Sequence, residues 1–104
     1  MPKKIIKVYT DKKLTNEIED DTFDFGIVEA GETKQFHFWI LNDSDAYLKN
    51  LDFIIEHREV KVIKYPIELL ANSNEELILE WSPSITLKEG LKARLRIRGI
   101  ELWG

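Results

Sequence analysis

The chain has 104 residues, of which 43% are apolar and 33% charged, and its formal net charge is −4. This length and balance fit one domain with a single two-layer core, and the acidic charge argues against broad affinity for nucleic-acid phosphate. The chain has no cysteine, and no apolar run reaches the length of a signal peptide or of a bilayer span. We therefore expect no nucleic-acid partner, no membrane partner, and an intracellular or virion setting.

The N-terminal segment combines a predicted strand with an acidic loop. Residues 4–10 alternate in the pattern of a strand, and one face carries Ile5, Lys7 and Tyr9. Residues 11–22 are polar and are predicted as a crossover loop, although the sequence also permits a helical turn there. The strand is the best candidate to pair either with the chain's own sheet or with a neighbouring molecule.

Turn-forming residues divide the rest of the chain into further short strands. The clearest strand spans residues 33–41, and because it is apolar on both faces it should be central and covered. Gly31, in the turn before it, is expected to adopt a positive φ. Alternation changes parity at Gly99, which predicts a β-bulge in the last strand.

The whole pattern predicts an all-β fold, an immunoglobulin-like β-sandwich of about seven to eight antiparallel strands. We expect a single domain over residues 1–104. Within it, residues 1–22 supply the N-terminal strand and the acidic crossover, and residues 23–104 supply the sandwich core.

Much of the chain resembles one family of immunoglobulin-like domains. Residues 24–33 (DFGIVEAGET) match the opening DFG-x-V-x-x-G-E-T pattern of the ASH, or Hydin-type, domains, which are relatives of the major sperm protein fold. Residues 36–42 resemble their next strand, which ends in Asn before a small polar turn. Residues 77–83 resemble their hydrophobic-x-x-F-x-P strand, with Trp81 where Phe is commoner, and residues 95–99 resemble their closing L-x-I-x-G. These are turn and core residues, so the resemblance implies a fold and leaves function open.

A small self-contained domain of this kind also resembles the immunoglobulin-like accessory proteins of tailed bacteriophages, which decorate capsids or join head and tail parts. The leading hypothesis is therefore a non-catalytic structural or protein-interaction module of a virion. Its partner would be a capsid protein, another structural protein or a second copy of the chain. The alternative is a cytoplasmic adaptor or chaperone-like domain that binds peptides, and the third possibility is an enzyme or carbohydrate-binding module.

The residues that could carry chemistry are too scattered for a catalytic or metal site. His37 and His57 are far apart in sequence, and no cysteine completes a zinc ligand set. The serines lie in turn-like contexts, and the glycines form no phosphate-binding loop. We predict no enzyme activity, no cofactor and no bound metal. Residues 42–44 form an N-glycosylation sequon, which we discount because such a tripeptide is common by chance.

Three arginines form a candidate docking stripe. Arg94, Arg96 and Arg98 are spaced by two residues, so they lie on one face of one strand, where guanidinium groups could dock an acidic partner. The alternative is a solvated face on which the arginines pair across strands with glutamates such as Glu76 and Glu80.

The three tryptophans are predicted to differ in environment. Trp81 is assigned to the core, whereas Trp39 lies on the second face of a central strand, where the N-terminal segment could cover it. Trp103 either packs onto the sandwich or is offered to a partner, and tryptophan is enriched at binding hot spots. The predicted partner-binding residues are therefore Ile5, Lys7, Tyr9, Arg94, Arg96, Arg98 and Trp103.

Overall fold

The computed structural model describes residues 5–104, in which it forms seven β-strands and no helix. The strands are β1 (Ile6–Tyr9), β2 (Thr22–Gly26), β3 (Lys34–Asn42), β4 (Tyr47–Ile55), β5 (Val60–Lys64), β6 (Asn74–Trp81) and β7 (Leu91–Leu102). They form two antiparallel sheets, a β3 sheet of order β1-β3-β6-β5 and a β7 sheet of order β2-β7-β4. The predicted immunoglobulin-like β-sandwich is confirmed. Residues 5–104 contain no helix that is long and apolar enough to cross a membrane.

The core lies between the two sheets, where every second side chain of each strand points inward. The Phe23 ring lies 4.3 Å from the Phe38 ring, and the Phe25 ring lies 4.8 Å from the Phe36 ring, so β2 packs directly on β3. Trp81 is fully buried, as predicted. Burial of each large apolar side chain contributes roughly 1.5–3 kcal/mol, which makes this layer the main source of stability. The other fully buried apolar side chains include Val8, Ile40, Leu48, Leu69, Leu77 and Leu79.

The N-terminal strand pairs within the chain and is shorter than predicted. It spans Ile6–Tyr9, and Lys4, which the prediction included, lies outside the described residues. β1 pairs with β3, which has β6 on its other side and is therefore central, as its sequence predicted. Tyr9 lies directly beside Trp39 in this pairing, so the N-terminal strand does flank that indole. Gly31, in the turn before β3, has φ 87, as expected.

The acidic segment after β1 is a loop without a helix. The Asp11 carboxylate accepts hydrogen bonds from the backbone N–H groups of Thr15 and Asn16, at 3.0 and 2.9 Å. These bonds lower the pKa of Asp11, together with the bond from the Thr15 hydroxyl, which has the largest effect. The Ile18 N–H then donates to the Val8 carbonyl, so the segment returns alongside β1 before it crosses to β2.

The predicted bulge lies at the level of Gly99 but belongs to the neighbouring strand. β4 places two residues, Asn50 and Leu51, opposite Gly99 of β7, and Asn50 adopts φ 54. β7 has no extra residue, so its side chains continue to alternate between the two faces of the sheet past Gly99. The predicted change of face at Gly99 is therefore wrong. Ile100 and Leu102 therefore share the outer face with the arginines and are 44% and 46% exposed.

Asn42 ends β3 and ties it to the segment that flanks β4. Its side chain is fully buried, and its amide donates to the carbonyls of Ala46, Leu69 and Leu70 at 2.8, 3.2 and 3.0 Å. The Ser44 hydroxyl donates to its amide oxygen at 2.6 Å. Because the amide nitrogen is enclosed by these contacts, the sequon at residues 42–44 could carry a glycan only if this part of the fold opened.

Candidate partner-binding surface

The outer face of β7 carries a row of cations that leads into an apolar end. Burial alternates along β7 as far as Ile97, so Lys92, Arg94 and Arg96 point away from the core. The register extends this outer face to Ile100 and Leu102, because Glu101 between them lies opposite buried Leu48. Trp103 follows the strand and is 62% exposed. We call this surface the β7 row; its members are Lys92, Arg94, Arg96, Arg98, Ile100, Leu102 and Trp103.

The arginines do not have the neighbours that the sequence predicted. Glu76 and Glu80 lie on β6, which belongs to the other sheet, so the expected cross-strand pairs with them are wrong. The register instead places Arg94 beside Thr22, Arg96 beside Ile54 and Arg98 beside Asp52.

Direct ion pairing of the arginines is limited to one exposed contact. Arg96 Nη1 lies 3.9 Å from Glu56 Oε1, and both side chains are exposed. Exposed pairs of this kind contribute about 0–1 kcal/mol. Within residues 5–104, Arg94 and Arg98 form no ion pair. The guanidinium groups of Arg94 and Arg98 therefore remain accessible to a second molecule, although Asp52 lies opposite Arg98 and Asp24 lies opposite Lys92.

The last half of β7 has a strand on one side only. The Arg94 carbonyl accepts from the Glu56 N–H on the β4 side, whereas the Leu95 N–H donates to the Asp21 carbonyl on the β2 side. β2 pairs with β7 no further than Arg94. Because backbone groups alternate sides along a strand, the next ones on the β2 side belong to Ile97, Gly99 and Glu101. No described strand pairs with them there.

A groove of about 370 Å³ lies beside this open edge, between the two sheets. β4 contributes Leu48 and Leu51 to its wall, and the start of β1 contributes Ile5 and Ile6. The walls from β1 and β4 are therefore aliphatic. From β7 it is lined by Ile97, Arg98, Gly99 and Glu101.

The structure divides the predicted partner-binding residues between two surfaces. Ile5 and Arg98 line the groove, and Arg94, Arg96 and Trp103 belong to the same β7 row. Lys7 and Tyr9 flank buried Val8 in β1, so they lie on the outer face of the β3 sheet, away from the row. Lys7 Nζ bonds Asp43 Oδ2 at 3.0 Å, which raises the pKa of Lys7.

Sequence reasoning missed the open edge and the apolar end of the row. Unbroken alternation through β7 could have shown that Ile100 and Leu102 share the face of Arg98. The open edge could not have been found this way, because it depends on where β2 stops along β7.

The histidines occupy ordinary structural positions. His37 Nδ1 lies 3.0 Å from Glu76 Oε2, and Lys64 Nζ lies 3.2 Å from Glu76 Oε1, on the exposed face of the β3 sheet. The bond to His37 lowers the pKa of Glu76, and the bond to Lys64 adds to this effect. His57 accepts a hydrogen bond from the Glu59 N–H at 3.2 Å. Among the described residues, no group of three His, Cys, Asp or Glu side chains is placed to hold a metal ion.

Comparison with known proteins gives no match among family models, curated proteins or solved structures. The assignment of an immunoglobulin-like sandwich therefore rests on the arrangement of the strands in this chain. The ASH and bacteriophage resemblances stay predictions from the sequence.

Proposed function

We propose that this protein is a non-catalytic interaction module that binds a protein partner through the β7 row. The observation that carries the proposal is the continuity of this surface, on which cations with little internal pairing lead directly into exposed apolar side chains. A partner surface with acidic groups and an apolar patch would complement both parts.

The composition of the row fits an interface. Arginine and tryptophan are enriched among the residues that carry most binding energy, and Arg can form bidentate bonds to carboxylates. Ile100 and Leu102 lose contact with water only if something covers the outer face of β7. Burial of such side chains is favourable at roughly 25 cal/mol per Å² of apolar surface, although association also costs free energy.

Most other exposed apolar residues do not combine with charge in this way. Ile63 of β5 lies between Lys61 and Lys64, but Lys64 is already bonded to Glu76. Ile27 and Ile85 lie in loops outside the strands, and Ile67 and Leu70 lie in the segment between β5 and β6. Single exposed apolar side chains are normal on protein surfaces. The β7 row differs because its cations, Ile100 and Leu102 occupy successive outward positions of one strand, and exposed Trp103 follows directly.

Within this role we propose a virion accessory protein, as a capsid decoration or head–tail component. A rigid sandwich repeated on a symmetric particle would convert weak single contacts into strong attachment. The alternative is a cytoplasmic adaptor or chaperone-like domain, which would use the same surface on one partner at a time.

Site-specific photo-crosslinking in the cells that make the protein tests the interaction role. A crosslinking amino acid placed at Arg96 or Trp103 should capture one defined protein. The same amino acid placed at Lys61 or Ile63, exposed on β5 of the other sheet, should not capture it. Equal capture from both sheets, or none from the row, would reject the β7 row as the interface.

Sedimentation with purified particles tests the virion role. A decoration or head–tail protein should co-sediment with particles, and its Arg96→Glu/Arg98→Glu variant should remain in the supernatant. If the protein stays monomeric in light scattering and does not bind particles while crosslinking still captures a cytoplasmic protein, the adaptor alternative is correct.

A further inference from the structure

We infer that the partner contributes an extended segment that adds to the open edge of β7 as an extra strand. This inference rests on the proposed function, and it specifies how the partner is bound. The added strand would continue the β7 sheet where β2 ends, beside Ile97, Gly99 and Glu101.

The backbone supplies the first argument. Ile97, Gly99 and Glu101 direct their N–H and C=O groups to the side on which no described strand lies. A row of unpaired backbone groups is a template for strand addition, in which main-chain hydrogen bonds provide the affinity.

The remaining sheet edges are covered or carry features that disfavour pairing. The free side of β4 bonds the segment that precedes β6, through the Leu48–Leu69 and Leu51–Ile67 backbone hydrogen bonds. β5 carries a bulge at Ile63 between Lys61 and Lys64, and Pro66 follows the strand. β1 has only 4 residues and β2 only 5, and β2 contains an irregularity next to Gly26. Bulges, lysines, proline and short length all disfavour pairing at an edge. The open half of β7 has no bulge, lysine or proline of its own. Its one irregular feature is Gly99, which has no side chain.

The side chains on the two faces of the edge define the partner's sequence pattern. Alternate residues of an added strand would enter the groove beside Ile97 and meet Ile5 and Leu48, so these should be aliphatic. The residues between them would lie on the outer face, and those next to Arg96 and Arg98 should be acidic. The inferred partner is thus a protein segment in which aliphatic and acidic residues alternate.

Synthetic peptides test this pattern. The probe is a peptide of about seven residues in which Val and Glu alternate, since the open stretch from Arg96 to Leu102 would pair with a strand of that length. It should bind the full chain in a calorimetric or fluorescence titration, whereas a Val/Lys peptide should not. Equal binding of both peptides would contradict the assignment.

N-methylation of the peptide backbone distinguishes strand pairing from binding through side chains alone. A strand bonds its neighbour through the N–H groups of alternate residues only. N-methylation of one alternate set in the Val/Glu peptide should abolish binding, and methylation of the other set should preserve it. If both methylated peptides bind as well as the parent, the peptide does not form a ladder with β7.

Amide hydrogen exchange locates the added strand. In the free protein, the amides of Ile97, Gly99 and Glu101 should exchange faster than those of Arg96, Arg98 and Ile100, which face β4. Saturation with the Val/Glu peptide should slow the first set and leave the second set unchanged. Slowing confined to residues outside β7 would overturn the inference.

Charge variants test the outer face of the added strand. Arg98→Glu should weaken Val/Glu peptide binding about fivefold or more, because loss of one exposed ion pair accounts for up to about 1 kcal/mol and repulsion adds to it. Lys61→Glu makes the same change on the other sheet and should leave binding unchanged. Equal effects of the two variants would show that only the net charge of the protein matters.

Two other occupants of the edge would overturn the inference. Association of the chain with itself in light scattering, blocked by the Val/Glu peptide, would identify a second copy as the added strand. In a second outcome, the amides of Ile97, Gly99 and Glu101 exchange slowly in the free protein and quickly after deletion of residues 1–4. That result would identify the chain's own N-terminus as the added strand. If crosslinking at Arg96 finds a partner but no peptide pairs with β7, the proposed function stands and this inference fails.

Discussion

Gly99 of β7 lies directly against Leu51 of β4, such that a Cβ at position 99 would stand 2.6 Å from Leu51 Cδ2. Leu51 is the second of the two bulge residues and is only 5% exposed. The bulge therefore turns Leu51 beneath β7, and the missing side chain at position 99 provides the space. The glycine that closes the L-x-I-x-G pattern has a packing role in this chain.

Replacement of Gly99 by alanine should destabilise the fold through this contact. The new methyl group would also lie 3.3 Å from the Lys49 carbonyl oxygen, so Leu51 cannot relieve all of the crowding. We expect Gly99→Ala to lower the free energy of unfolding by about 1–3 kcal/mol in urea denaturation. The cost of Gly99→Ala should shrink clearly in a Leu51→Ala background. An equal cost in both backgrounds would show that backbone crowding, not Leu51, is responsible.

The bulge also shows where sequence reasoning about the fold reaches its limit. Period-two alternation predicted the strands and the burial of Trp81, because these depend on neighbours along one strand. The parity argument at Gly99 failed because a bulge involves two strands, and the extra residue lies in β4. Asn50 has a positive φ there, which asparagine adopts more readily than most residues, but a single Asn does not show which strand carries the extra residue.

The candidate surface was predictable to a similar extent. The spacing of Arg94, Arg96 and Arg98 was enough to place them on one face. Their expected pairing with Glu76 and Glu80 failed because alternation does not show which strands share a sheet. The open edge beyond Leu95 follows from the unequal lengths of paired strands, so it required the three-dimensional structure.

Removal of the Asn42 amide should be among the most damaging single changes in this chain. Its two N–H groups are shared among three backbone carbonyls, and its oxygen accepts from the Ser44 hydroxyl. Three hydrogen bonds are therefore lost, and each contributes about 1 kcal/mol net. We therefore expect Asn42→Ala to cost about 3 kcal/mol in urea denaturation. Asn42→Asp should cost more at neutral pH, because a buried carboxylate would face three carbonyl oxygens. The exposed control Asn74→Ala should change stability by less than about 0.5 kcal/mol.

Trp81 should tolerate phenylalanine far better than alanine. Its ring is fully buried near Phe25 and His57, and its Nε1 has no hydrogen-bond acceptor among the described residues. Trp81→Ala should cost about 3–5 kcal/mol through the cavity it leaves. Trp81→Phe should cost only about 1 kcal/mol, because it also removes a buried donor whose desolvation is uncompensated. A Trp81→Phe cost close to that of Trp81→Ala would show that Nε1 is bonded after all.

Acid should weaken the fold partly through Glu76. The hydrogen bonds from His37 and Lys64 hold the pKa of Glu76 below its ordinary value of 4.5, so the folded state favours the carboxylate. The unfolded chain then binds more protons than the folded chain, and stability falls as the pH drops below 4.5 and through the lower folded pKa. Urea denaturation across this range should show a shallower fall for Glu76→Gln than for the wild type. Glu75→Gln removes the same charge from the adjacent exposed position and should retain the wild-type dependence of unfolding free energy on pH. The same dependence in all three proteins would mean that the bonds to Glu76 do not persist in solution.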